Sequence, residues 1–307
     1  MGEARERCTS VRRKYSAMLT VTVLFLLAGC ADEPRPWEDI SGSRVRDLTN
    51  KEVVEIERAE QKLIKACMRD EGFPYWEFPV PSIDERKSGN YVIESVRWAK
   101  AYGYGREFEE RGEKIRTSHR TVIYQNELPK GGRVSYTRAL DGDYRDRMTV
   151  KLPGKLGKVE SPRGGCTNEA RAELYGDAAI WYTARRTVES ALPLYVQALK
   201  QDERFTKALR RWADCMTRAG RSFDSPDDLR QKRAAAVEKM PDAEADAFDR
   251  KLAVTEATCA VESSLGKVLR DLESEYRVRT LKPYSEQWDT YRKMRLHALR
   301  QAQDVLS

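Results

Sequence analysis

The chain has 307 residues, of which 40% are hydrophobic and 34% charged, and its formal net charge is +7. Charges of both signs are interspersed, so the sequence lacks the basic footprint of a nucleic-acid-binding protein, and we predict no nucleic-acid partner. The modest apolar content and high charged content are typical of amphipathic helices with solvated outer faces. Only two histidines, His119 and His297, are present, which closes many catalytic options.

The first segment in chain order has the pattern of a secretory signal peptide. Five basic residues precede an apolar run over residues 16–28, which is well short of the ~20 residues that a membrane-spanning helix needs. We therefore predict a signal peptide over residues 1–29. The following residue completes the string Leu27-Ala28-Gly29-Cys30, which resembles the lipobox of bacterial lipoproteins. This resemblance implies that Cys30 is acylated and becomes the first residue of the mature chain.

An acylated Cys30 would make the membrane a partner of this chain. Two or three acyl chains anchor a protein almost permanently, and the predicted location is the outer face of the cytoplasmic membrane. The five basic and two acidic residues of the leader leave the mature chain with a net charge of +4. The segment 30–48 has no periodic apolar pattern, and we predict that it is a tether.

Four cysteines remain outside the leader and the lipobox. An even number in an oxidising compartment predicts two disulfides, with three possible connectivities. The order Cys-Met-x₃-Gly followed by Cys-x-x-Glu occurs twice, which indicates a degenerate repeat. If each unit is a helical hairpin, its own two cysteines lie on facing helices, which favours the pairs Cys67–Cys166 and Cys215–Cys259. No Cys-x-x-Cys and no Cys/His pair at ligand spacing occurs, so we predict no metal and no other cofactor.

The first predicted helical unit covers residues 49–200. Thr49 and Glu52 form a capping-box sequence at the start of a helix that ends at Gly72. A second helix is predicted from a cap at Asn90 to Gly103. Residues 104–165 read as an irregular insertion with a short helix over 128–140 and a hairpin around 154–157. One or two helices follow over 167–200, with a break near Gly176 or Pro193.

The second predicted unit covers residues 201–307. A helix with apolar positions from Phe205 to Ala219 ends at Gly220, and Ser225-Pro226 begins the next one. A long third helix follows, and a last helix comes after Pro283. The predicted fold class is therefore mainly α: a disulfide-stapled helical bundle of two degenerate units, with a small irregular or hairpin insertion in the first. We expect residues 201–307 to fold on their own.

Several short segments are similar to uncharacterised secreted and lipidated proteins of high-GC Gram-positive bacteria. These segments are residues 102–105, 164–170 and 174–176 and the two Cys-Met-x₃-Gly units. The resemblance covers short segments and implies location and disulfides only. The sequence contains no motif for a catalytic serine, a zinc protease or a phosphate loop, and we predict no catalytic residue.

The candidate recognition segment is the aromatic run 73–81, with Tyr75, Trp76 and Phe78 as the candidate binding residues, since its prolines keep the run extended. These observations favour a non-catalytic interaction or structural module that binds an envelope protein or a cell-wall polymer. The alternative is a cell-wall hydrolase with carboxylate acid/base chemistry, whose acid would lie in the insertion.

Overall fold

The computed structural model describes residues 35–307. Cys30 and the predicted leader lie outside the described residues. The described part is mainly helical with one two-stranded sheet, which confirms the predicted fold class. Within it, no helix is both long enough and apolar enough to cross a membrane.

The elements of the first half include the predicted hairpin and several short helices. They are α1 (Asn50–Asp70), α2 (Ile83–Lys87), α3 (Val96–Tyr102), α4 (Arg106–Ser118), α5 (Arg120–Glu127), α6 (Lys130–Asp141), β1 (Asp143–Lys151) and β2 (Lys158–Arg163). The elements of the second half are all helical. They are α7 (Gly165–Tyr175), α8 (Ala178–Glu189), α9 (Leu192–Gln201), α10 (Glu203–Arg218), α11 (Pro226–Val237), α12 (Asp242–Ser263), α13 (Leu265–Leu281) and α14 (Ser285–Leu306).

Helix α1 begins and ends as its sequence predicts. The Thr49 hydroxyl accepts a hydrogen bond from the backbone N–H of Glu52, and the Glu52 carboxylate accepts one from the backbone N–H of Thr49. Arg46 also donates to Glu52, and this hydrogen bond lowers the pKa of that carboxyl to about 2. At the other end Gly72 has a φ of +82°, and the backbone N–H of Phe73 donates to the Met68 carbonyl at 2.8 Å.

The α1/α14 cluster is one of the two main apolar cores. Helix α14 packs against α1, α7 and α8, and the buried residues of this cluster include Ile56, Leu174, Trp181, Met294 and Ala302. Trp37 belongs to the same core and is only 3% exposed. The predicted tether over 30–48 is therefore wrong beyond residue 35, because Trp37 packs beside Gly176 and fixes the chain on the body.

The α10/α12 cluster is the second core and is built around the fully buried Trp212. Helix α12 packs against α10 and α3, and α13 packs against α10 and α9. The predicted long third helix is interrupted at Ser264, whose φ of +57° separates α12 from α13. Helix α3 begins at Val96 with Ser95 as its cap, so the predicted cap at Asn90 is wrong.

Helices from each side of the predicted boundary between residues 200 and 201 pack in the core formed mainly by the other side. Helices α3 and α9 precede the boundary and pack in the α10/α12 cluster, whereas α14 follows it and packs in the α1/α14 cluster. A fragment of residues 201–307 would lack α3 and leave the apolar face of α14 exposed. The units 49–200 and 201–307 therefore do not correspond to the two packed cores.

The insertion over 104–165 is more regular than predicted. It contains the predicted helix, now α6, and the predicted hairpin, in which Val150 pairs with Val159. Met148 and Val150 on the inner face of β1 pack against Tyr182 of α8. The additional helices α4 and α5 were not predicted, and the charged α4 buries no residue.

Both predicted disulfides are confirmed. Cys67 is bonded to Cys166 and Cys215 to Cys259, with a Cα–Cα distance of 5.5 Å in each pair. The surroundings repeat as well: an oxygen of Glu169 lies 3.3 Å from the Cys67 sulfur, and an oxygen of Glu262 lies 3.3 Å from the Cys215 sulfur. Each bridge thus ties the last turns of one helix, α1 or α10, to a second helix, α7 or α12.

Candidate functional site

The predicted recognition segment turns back from the end of α1. Tyr75, one of its three candidate residues, is 7% exposed, and its hydroxyl donates a hydrogen bond of 2.9 Å to the side-chain oxygen of Gln61 on α1. The same oxygen accepts the backbone N–H of Phe78 at 2.9 Å. Burial raises the pKa of the Tyr75 hydroxyl. Tyr75 is therefore part of the core and fixes the segment to α1.

Phe78 and Trp76 are only partly buried. The Phe78 ring stacks on His119 with 4.1 Å between ring centroids. Trp76 is held through its backbone, since its N–H donates to the Thr121 hydroxyl at 2.9 Å and its carbonyl accepts from that hydroxyl at 2.8 Å. The Arg120 guanidinium lies 4.5 Å from the centre of the Trp76 ring. The segment thus presents an immobilised aromatic surface in which Trp76 is accompanied by a cation.

A groove of about 750 Å³ lies between this segment and the end of α1. We call it the α1 groove, and its lining residues are Lys62, Lys65, Ala66, Arg69, Gly72, Phe73, Pro74, Tyr75, Trp76 and Glu77. The three cations of α1 are exposed. Lys65 pairs with Glu77 at 2.9 Å, and Arg69 contacts its exposed neighbour Asp70. The groove itself therefore combines three cations and one carboxylate with aromatic rings.

The three α1 cations were missed from the sequence, although a signal for them exists. Lys62, Lys65 and Arg69 are spaced i, i+3 and i+7, which places them on one face of a helix. Cys67 lies in the same helical turns, so the bridge to Cys166 ties this end of α1 to α7. A groove on a covalently stapled helix end is preorganised for binding, since little of it has to be ordered when a partner arrives.

A second cleft of about 130 Å³ contains carboxylates, which bears on the hydrolase alternative. Its walls include Glu57, Glu60 and Glu189 beside a stack of the rings of Tyr175, Trp181 and Tyr291. Each of the three glutamates forms an ion pair with an arginine: Arg86, Arg171 and Arg185, respectively. All three carboxylates are thus engaged by arginines, whereas the general acid of a glycosidase must be free to donate a proton to the substrate. The cleft is also outside the insertion where the acid was predicted.

A third group of charged residues is buried between α11 and α12. Asp249 and Glu256 are 2% and 0% exposed, and they pair with Arg233 and Arg230, respectively. Burial raises the pKa of Glu256, and the nearby Arg230 opposes that shift. Helix α11 buries only Pro226 and Leu229, so these two ion pairs are its main polar attachment to the core.

In the described residues, no group of three or more histidine, cysteine or acidic side chains is arranged to hold a metal ion. In the α1 groove, an immobilised aromatic segment and several exposed cations come together. Comparisons of the chain with known protein families, curated proteins and solved structures found no match.

Proposed function

We propose that the mature chain is a lipoprotein, held through acylated Cys30 on the outer face of the cytoplasmic membrane, and that it acts there as a non-catalytic interaction module. The lipobox resemblance supports the anchor. The two disulfides support an oxidising, extracytoplasmic location, because such bonds persist outside the reducing cytosol.

The partner in this proposal is an envelope protein or cell-wall polymer that carries negative charge and binds in the α1 groove. The observation that carries the proposal is the excess of exposed cations over carboxylates beside immobilised aromatic rings. Complementary charge steers a partner and fixes its register, and aromatic rings add contact area at low entropic cost.

The anchor is tested with the substitution Cys30→Ser in the full chain. Serine offers no thiol for acylation, so the protein should leave the membrane fraction or accumulate as the unprocessed precursor. Fractionation and intact mass measure both outcomes. An unchanged membrane partition together with an unchanged mature mass would contradict acylation at Cys30.

The groove is tested by reversing two of its charges with Lys62→Glu and Arg69→Glu. Like charges facing an anionic partner are repulsive, so capture from detergent-solubilised envelope, or sedimentation with peptidoglycan, should fall by at least about tenfold. Trp76→Ala should weaken capture through lost ring contact, with little change in melting temperature because the ring is partly exposed.

The repeat offers a matched control on α10, where Lys207 and Arg210 are also exposed on a stapled helix. Lys207→Glu with Arg210→Glu makes the same charge change and should leave capture intact. Equal losses in the two double variants would mean that net charge, and not the groove, determines binding. Release of soluble fragments from the cell-wall polymer by the wild type would support the hydrolase instead.

A further inference from the structure

Three leucines form an exposed apolar surface at the tip of the hairpin and the start of α9. Leu156, Leu192 and Leu194 are 40%, 48% and 38% exposed, and we call them the leucine face. The hairpin turn and α9 are in contact here, since an added Cβ at Gly154 would lie 3.1 Å from a methyl group of Leu194. The leucine face thus combines residues of two elements that meet at Gly154 and Leu194.

This face lies at the end of the body from which the described chain starts. The hairpin tip is fixed to the beginning of α14, because the backbone N–H of Gly154 donates to the Tyr284 hydroxyl at 3.0 Å. Arg35 lies beside the first turn of the same helix, where it lines a shallow cleft with Glu286 and Gln287. Arg35 also lies beside Ala184 of α8. The five helical steps from Ala184 to Glu189, where α8 ends, span only about 8 Å, and α9 begins three residues later.

The covalent connection to the anchor is short. Four residues separate Cys30 from Arg35, and five Cα–Cα steps reach at most about 18 Å. Trp37 and Ile40 are buried in the body, so no slack is available beyond Arg35. An acyl anchor at Cys30 therefore holds the surface around Arg35 close to the bilayer.

The edge of the leucine face carries cations. Lys155 and Lys282 are exposed beside the turn and beside Tyr284, and Lys158 is exposed although it pairs with Glu160. Acidic side chains also lie near this face: Glu160 pairs with Lys158, Glu286 is exposed, and Glu273 lines a cleft together with Leu192. Basic residues near anionic lipid headgroups are attracted to them, and apolar side chains enter the boundary between headgroups and acyl chains.

We propose that the leucine face is a membrane-contact surface, through which the body lies against a bilayer containing anionic lipids instead of extending away from it. The proposal rests on the proposed acylation of Cys30, which determines the side that is turned to the membrane. It gives the body a fixed orientation on the bilayer, with Leu156, Leu192 and Leu194 at the level of the headgroups.

The test uses the full acylated chain with a specific protease site inserted between Asp32 and Glu33. The protein is reconstituted into vesicles of phosphatidylcholine and phosphatidylglycerol, and sedimentation is measured before and after cleavage. Before cleavage the anchor should sediment every variant. After cleavage the wild type should remain partly bound, whereas a variant with Leu156→Ser, Leu192→Ser and Leu194→Ser should show about a tenfold lower bound fraction.

A matched control replaces three other exposed apolar residues, Ile123, Val134 and Val261, by serine. It should remain bound like the wild type, and circular dichroism should show that both triple variants are folded. Complete release of the wild type by cleavage, or equal release of the two triple variants, would overturn the membrane-contact surface while leaving the anchor intact. Failure to sediment before cleavage would contradict the acylation of Cys30 and, with it, the orientation on which this surface depends.

Discussion

Replacing Cys67 and Cys166 together by alanine is expected to lower the free energy of unfolding by about 4.7 kcal/mol. The bond closes a long loop, with a sequence separation of 99, and in the chain-entropy account a cross-link stabilises by restricting the unfolded state. Cys166 is also fully buried, in a small cluster with Met68 and Tyr136. Denaturation in urea, followed by tryptophan fluorescence and circular dichroism, measures the change.

The second bridge supplies the comparison for this experiment. Cys215 and Cys259 have a sequence separation of 44. In the same account, their replacement should lower the free energy of unfolding by roughly 0.7 kcal/mol less than replacement of the first pair. Because α3, α9 and α14 cross between the two halves of the chain, either double variant should still unfold in one transition. A loss below about 1 kcal/mol in both would contradict the stapling role, and two separated transitions would restore the division at residue 200.

Strong local signals made much of the helical fold predictable. The capping box at Thr49, the glycines at 72 and 220 and the start at Ser225-Pro226 each specify an element end through backbone hydrogen bonds made nearby, and all of them are present. The disulfide pairing could be predicted because each unit of the repeat contains one cysteine pair, although further elements lie between the bridged helices. These features depend on residues close in sequence or on a recognisable spacing.

Other features depend on tertiary packing and left little trace in the sequence. Helix α4 is highly charged and buries no residue, so it lacks the apolar period from which a helix is read. Ser264 interrupts a continuous apolar pattern with a left-handed backbone, which residues other than glycine rarely adopt. Helix α3 packs in the core of the second half of the chain, and α14 packs in the core of the first half. An amphipathic pattern shows which face of a helix is buried, but it does not show which other helix covers that face.

The candidate site was predictable in part. The aromatic run was found from its composition, but the sequence could not separate buried Tyr75 from partly exposed Trp76, since that difference follows from the Gln61 side chain on α1. The cations at 62, 65 and 69 share one helical face, which the sequence shows. The chain reverses after Gly72, and this reversal places the aromatic run beside those cations.

A second large effect is expected from Asp249→Ala, which should lower the free energy of unfolding by about 3–5 kcal/mol. The Asp249 carboxylate accepts two hydrogen bonds from Arg233, one of them 2.8 Å long from Nε, and the Arg233 side chain is only 11% exposed. Removing the carboxylate leaves a buried cation without its ionic partner, with the Tyr104 ring 4.7 Å away as its remaining contact. That loss is far more costly than the net value of the pair. The attachment of α11 should weaken with it.

The control is Asp271→Ala, which removes a carboxylate from an exposed pair with Lys267 at 2.7 Å, one helical turn away. Such a pair is worth only a few tenths of a kcal/mol, because water solvates both ions when they separate. The double variant Arg233→Met with Asp249→Leu should recover most of the loss, since it replaces both charges by apolar groups. Chemical denaturation of the three variants measures these changes in the free energy of unfolding. If Asp249→Ala lowers it as little as Asp271→Ala does, Arg233 must reach solvent once α11 relaxes. The ion pair would then not be what holds α11 on the core.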